Sequence, residues 1–241
     1  MESHSDTENR MHGERLHKYL PEFVYGGIDG VVTTFAVVAG AAGANLDQGI
    51  VLILGFANLI ADGFSMSVGA FLSAKSTKAI YQKHRAREYW EIENLRESEV
   101  EEVREIYRQK GFEGELLEQV VAKITQSKDR WVDTMMKEEL EMIPEQKSPF
   151  RIGLATFISF IIVGLLPLVF YVVSYVSDLS GNLFLYSSLL TLAAFTAIGV
   201  AKSYVTETSW LKAVGETILL GVIAAVLAYT VGDLLEAWLI G

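Results

Sequence analysis

Cysteine is absent from the 241 residues, and proline occurs only four times. Without thiols there is neither a disulfide framework nor a thiolate metal site, and soft donor atoms are confined to six methionine sulfurs. Lys and Arg are missing from three long stretches, 19–74, 152–201 and 213–241. A basic surface able to replace phosphate counterions is lacking too, since the net charge is −10, which argues against nucleic acid as a partner. The opening MESHSDTENRMHGERLHKYL has no apolar run and no small-residue cleavage site, so the first apolar segment is expected to stay in the mature protein.

What is present is hydrophobic: 51% of the chain, with a mean hydropathy of +0.29, although 21% is charged. Both hold only if the charges are segregated, and the cation-free stretches are where membrane spans belong. Windows of about 19 residues predict spans over Val24–Leu46, Gly49–Leu72, Phe150–Val176, Leu183–Ala201 and Ala213–Leu235. Residues 45–48 and 177–182 form the tight turns. Three basic residues precede span 1, fifteen lie between Ser73 and Arg151, and two between Lys202 and Lys212, accounting for all 20. With five spans these segments share one side, so the positive-inside rule puts the N-terminus and the insert in the cytoplasm and the C-terminus outside. The expected fold is an all-α integral membrane protein of five transmembrane helices, with a cytoplasmic helical insert between helices 2 and 3. The corresponding parts are a polar arm (1–22), spans 1 and 2 (23–72), the acidic insert (73–148) and spans 3 to 5 (149–241).

Within the insert, a helix continues from span 2 to about Arg96. Ser98 followed by Glu101 has the capping-box pattern and predicts a second helix ending before Gly111. Further helices are predicted over Glu113–Thr125 and Lys128–Met142, with Pro144 and Pro149 marking the return to the membrane. Val100, Val103, Ile106 and Tyr107, then Leu116, Leu117, Val120, Val121 and Ile124, recur at helical spacing, so these helices should pack as a small bundle.

Asp29 sits about five residues inside span 1. A carboxylate at the centre of a membrane helix costs about 2.5 to 3.5 kcal/mol, so such a residue faces protein or water and has a role, in transport or in bonding a neighbouring helix. Gly26 and Gly30 flank it as a G-x-x-x-G pair, a pattern for close helix packing. In span 2, Asn58, Asp62 and Met66 follow at i, i+4 and i+8 and share one stripe. Counted from the insert-side ends of two antiparallel spans, Asp29 and Met66 lie at nearly equal depth, and oxygen with sulfur in one layer suits Fe²⁺ better than Mg²⁺ or Ca²⁺. Met66 taken alone is more often a packing residue.

Glu88 and Glu91 pair at i, i+3 on the first insert helix, and Glu99 and Glu102 repeat the spacing on the second; Met135, Met136 and Glu139 add a third face. Seventeen acidic and eleven basic residues between Ile80 and Glu145 also suit a solvated charged surface. Di-iron oxidases use Glu-x-x-His, and the insert's one histidine, His84, has no Glu three residues before it, which disfavours oxidase chemistry. His4, His12 and His17 read as a weak metal-attracting arm or a tail without function.

The segments YGGIDGVVTTFAVVAGAAGA, GFANLIADGFSMSVGAFLSAKS, EYWEIEN and LLGVIAAVLAYTVG together resemble the vacuolar iron transporter family from about Tyr25 to Gly232. The resemblance implies a homodimer with five membrane helices per subunit, a pathway lined by span 1 at the two-fold axis, and exchange of metal for protons. It makes Asp29 and Met66 pathway residues and Glu88, Glu91, Glu99, Glu102, Met135, Met136 and Glu139 ligands of a cytoplasmic metal-binding domain. Ala70 departs from the Glu common in plant relatives. The expected function is therefore export of Fe²⁺, or of Mn²⁺ as in some family members, from the cytosol without any prosthetic group. A membrane-anchored ferroxidase or iron store and a metal-sensing interaction protein are the alternatives. A bacterial plasma membrane is the expected home, or a vacuole-like acidic organelle in a eukaryote.

Overall fold

A computed structural model describes residues 18–177 and 181–239; the three histidines of the N-terminal arm lie outside them. Among the described residues the secondary structure is helical throughout. In chain order the helices are α1 (Leu20–Gly43), α2 (Gln48–Asn94), α3 (Arg96–Gln109), α4 (Gly114–Thr125), α5 (Lys128–Glu138), α6 (Pro149–Gly164), α7 (Val169–Ser177), α8 (Leu183–Thr206) and α9 (Trp210–Leu239), with a 3₁₀ turn at Leu166–Leu168 between α6 and α7. The chain divides into two compact units, one of the residues up to Leu72 and from Lys147, the other Ser73–Gln146, and α2 supplies helix to both.

Five helical segments are long and apolar enough to cross a membrane: Leu20–Gly43, Gln48–Asn94, whose first part belongs to the first unit, Pro149–Ser177, Leu183–Thr206 and Trp210–Leu239. Helix α1 is central. Half of its apolar window is buried, against 11% for α9, and it packs on α6, α8 and α9. Val31, Phe35 and Val38 of α1 meet Val163, Leu168, Leu183 and Phe195 in one core. Large apolar side chains such as Ile53, Ile60, Leu189, Leu220 and Leu227 are exposed, as the surface of a lipid-embedded bundle should be.

Glycine lets the backbones approach. The pair Gly26 and Gly30 abuts Thr156 and Phe160 of α6, and a Cβ on Gly30 would strike the Phe160 carbonyl. At the other end of α1, Gly40 and Gly43 face Gly232 and Tyr229 of α9 in the same way. Overpacking a close helix crossing costs about 1 to 3 kcal/mol, so Gly232→Ala, whose methyl would meet the Gly40 carbonyl, is expected to lower the thermal midpoint in detergent. Gly215→Ala, with nothing within 4 Å, is the matched control and should leave it unchanged or raised.

Span 3 is broken, which hydropathy did not foretell. Pro167 has no N–H to donate and its ring excludes the carbonyl of Val163, so α6 ends at Gly164 and α7 begins at Val169. Beside the break, the Pro167 carbonyl accepts a hydrogen bond from the Ser187 hydroxyl of α8 at 2.6 Å, so this carbonyl has a donor within an apolar layer.

In the second unit Ile92, Val103, Leu117, Val121, Ile124, Trp131 and Val132 form the bundle core. Leu116 was expected inward but is 56% exposed, because Leu117, one position on, takes the inward direction. Helix α3 starts two residues before Ser98. Only Leu95 separates it from α2, and the Ser98 hydroxyl reaches Glu102 at 3.5 Å instead of capping a backbone N–H. Gly111 ends the helix region as expected, with φ +89°. Helix α5 stops at Glu138, short of Met142, where Glu141 turns left-handed (φ 52°).

Candidate metal centre and membrane carboxylate

Five of the seven insert residues singled out from sequence line one cavity of about 260 Å³: Glu88, Glu91, Glu99, Glu102 and Glu139, joined by His84, Arg87 and Leu140. Helical periodicity explains how acids come to be there. Glu88 lies one turn before Ile92, and Glu99 one turn before Val103, and both aliphatic residues are fully in the core. The stripe that buries the hydrophobes carries the carboxylates inward with them.

Their surroundings separate them from the other acids of the unit. Glu93, Glu101, Glu105, Glu118 and Glu138 are paired with Lys128, Arg104, Arg108, Arg104 and Lys110, and Asp133 with Arg85. Glu88 and Glu99 are 3% and 4% exposed, and one carboxylate oxygen of each is buried without a hydrogen-bond partner. The solvated-surface account fits the paired acids and fails for these two. Glu91 is met by Arg87 at 2.9 Å, and Glu139 is exposed at the rim.

Burial, and then the carboxylates of Glu139, Glu91 and Glu102, push the Glu88 carboxyl up to about 7, with Arg87 opposing. Glu99 is raised to about 7 by burial and by Glu102, Glu88, Glu91 and Glu139. Glu139 is raised by burial first, then by Glu102 and Glu91. The site thus holds protons near neutrality that an arriving cation would displace. Among the described residues no three His, Cys, Asp or Glu side chains are placed to hold one metal ion as they stand.

Met135 and Met136 are placed otherwise than their ligand assignment implies. They are 0% and 1% exposed in the apolar core with Trp131 and Val132, and neither lines the acidic cavity. His84 and Arg87 are lining residues that the sequence reading did not place there. The signal was present, since His84, Glu88 and Glu91 follow at i, i+4 and i+7 on one helix face.

In the membrane unit Asp29 is half-buried on α1, with Asp62 of α2 in electrostatic reach. Thr33 donates its hydroxyl to the Asp29 backbone carbonyl at 2.8 Å, but no described residue hydrogen-bonds or ion-pairs the Asp29 carboxylate. Asn58, Asp62 and Met66 are each half-buried on α2, and the Asn58 Nδ2 is buried without a partner.

Five helices long and apolar enough to cross a membrane, an acid within one of them, and a helical unit with buried glutamates define a multi-pass helical membrane protein. The model of the VIT family matches residues 20–233. A vacuolar iron transporter of Toxoplasma gondii is 33% identical, covering 98% of this chain and 78% of its own length. Vacuolar iron transporter 1 of Eucalyptus grandis is 34% identical over 86% of this chain and 83% of its own, and that of Arabidopsis thaliana 31% identical over 89% and 85%. The chain belongs to the VIT family.

Proposed function

We propose that this protein exports Fe²⁺, or a related divalent metal such as Mn²⁺, from the cytosol in exchange for protons. The observation that carries the reading is Asp29, an acid within a membrane span that no described residue pairs, in a chain whose relatives are named iron transporters. Positive-inside placement puts the N-terminus and insert in the cytoplasm and the C-terminus outside, in a cell membrane or the membrane of an acidic organelle.

Glu88, Glu91, Glu99, Glu102 and Glu139 gather metal at the cytoplasmic side, and their protons leave as it binds. The chain works as a homodimer in which the two Asp29 side chains approach the two-fold axis. Like charges there hold a shared proton when no metal is present, which couples the two fluxes. Met66, Asn58 and Asp62 line the same route. Met135 and Met136 support the gathering site from the core and become ligands only if α5 shifts.

Proteoliposomes loaded with a metal-sensitive dye test the reading, with Fe²⁺, Mn²⁺, Co²⁺ and Zn²⁺ offered with and without an imposed pH gradient. Uptake that accelerates with the gradient and moves protons the opposite way is expected. Oxygen consumed in proportion to Fe²⁺, with no uptake, would instead identify a ferroxidase.

A further inference from the structure

An apolar groove of about 320 Å³ runs between α2 and α6 of the membrane unit. Phe64, Val68 and Phe71 form one wall and Phe150, Leu154 and Phe157 the other. Its floor is backbone against backbone: a Cβ on Gly153 would lie 2.8 Å from the Ser67 carbonyl, and the Ser67 hydroxyl donates to the Gly153 carbonyl at 2.8 Å. That bond satisfies the polar atoms of the floor and leaves the walls aromatic. Phe64 and Phe150 are 63% and 68% exposed, so the groove opens on the surface that faces lipid.

A charge follows the wall residue Phe150 in sequence and precedes Leu154 by one helical turn. Arg151, in the first turn of α6, is exposed and has no ion-pair partner among the described residues, whereas nearby Lys147 is paired with Glu22 at 2.7 Å. Arg151, Leu154, Ile158 and Ile162 follow at i, i+3, i+7 and i+11, so the guanidinium heads an exposed apolar stripe beside the groove. An unpaired arginine in the helical turn that also carries the groove residues Phe150, Gly153 and Leu154 matches an anionic phospholipid, headgroup on the cation and acyl chain in the groove. We propose that the α2–α6 groove is a binding site for one acyl chain of an anionic membrane phospholipid whose headgroup is held by Arg151. The site stands independently of which metal the protein carries.

Native mass spectrometry of the detergent-solubilised protein, titrated with phosphatidylglycerol or phosphatidylcholine of the same acyl chains, tests it. The wild type should keep one phosphatidylglycerol per chain, favoured about fivefold over phosphatidylcholine, the scale of one basic residue at a membrane surface. Arg151→Gln should erase the preference while a lipid still binds. Val68→Trp, which fills the groove, should lose both, and Leu154→Trp at the rim serves if that variant does not fold. Equal retention of both lipids by the wild type, or undiminished phosphatidylglycerol in the filled-groove variants, overturns the site. So does a filled-groove variant that keeps its lipid but turns a dimer into monomers, because the groove would then belong to a second copy of the chain.

Discussion

Replacing Asp29 with asparagine is expected to stop metal flux while leaving the fold and the insert's metal binding intact. Asn has the shape of Asp, and the one side-chain hydrogen bond described at this residue, from Thr33, goes to its backbone carbonyl and survives the change. What disappears is the negative charge that offsets the cost of bringing a divalent cation into an apolar layer. Initial rates of Fe²⁺ uptake into proteoliposomes should fall by about a hundredfold, equivalent to roughly 2.7 kcal/mol in the barrier. Calorimetric titration of Fe²⁺ in detergent should still find the insert site. Wild-type flux in Asp29→Asn would remove this residue from the route.

The second large effect has opposite signs for stability and for binding. An acid whose folded pKa stands above its unfolded value keeps its proton longer when folded. Between about pH 4.5 and about 7 the metal-free folded protein therefore binds more protons at Glu88 and Glu99 than the unfolded chain does, and its stability falls as pH rises. The loss across that window is on the order of a few kcal/mol, shared by the coupled pair. Converting Glu88 and Glu99 together to Gln removes both titrations. The metal-free variant should melt higher than wild type at pH 8 and close to it at pH 5. In the same variant Fe²⁺ affinity should drop by at least about tenfold, because the carboxylates that cost stability are the ones that meet metal. In the wild type, apparent affinity should climb with pH by up to about tenfold per unit for each proton displaced. A variant that loses stability at every pH while keeping its affinity would reduce the two glutamates to packing.

Much of this molecule is legible in local pattern. Cation-free apolar stretches marked the spans, and the i, i+3 glutamate pairs marked four of the cavity's acids. The choice of partner for each helix was not legible. That Gly232 of α9 meets Gly40 of α1 across the whole length of the chain follows from which small-residue faces fit, and no window of hydropathy contains both. The break at Pro167 had a visible cause, yet the donor that meets the Pro167 carbonyl, Ser187, comes from another helix.

The insert shows the same division. Seventeen acids between Ile80 and Glu145 look alike in one dimension. Packing separates them, because Glu88 and Glu99 share stripes with Ile92 and Val103 and are drawn inward, while Glu101, Glu105 and Glu118 point to solvent and to arginine. It also draws Met135 and Met136 into the core, away from the cavity that their spacing suggested they would line.

By itself, then, the sequence determined the membrane class, the number of spans, the insert and the candidate acids, since hydropathy, charge and helical period act over a few turns of one chain. Only the tertiary structure decided which acids are buried away from basic partners, which helices touch, and where an apolar groove opens on the surface of the helical bundle. Burial is a property of two surfaces that meet, and the second surface is always elsewhere in the chain.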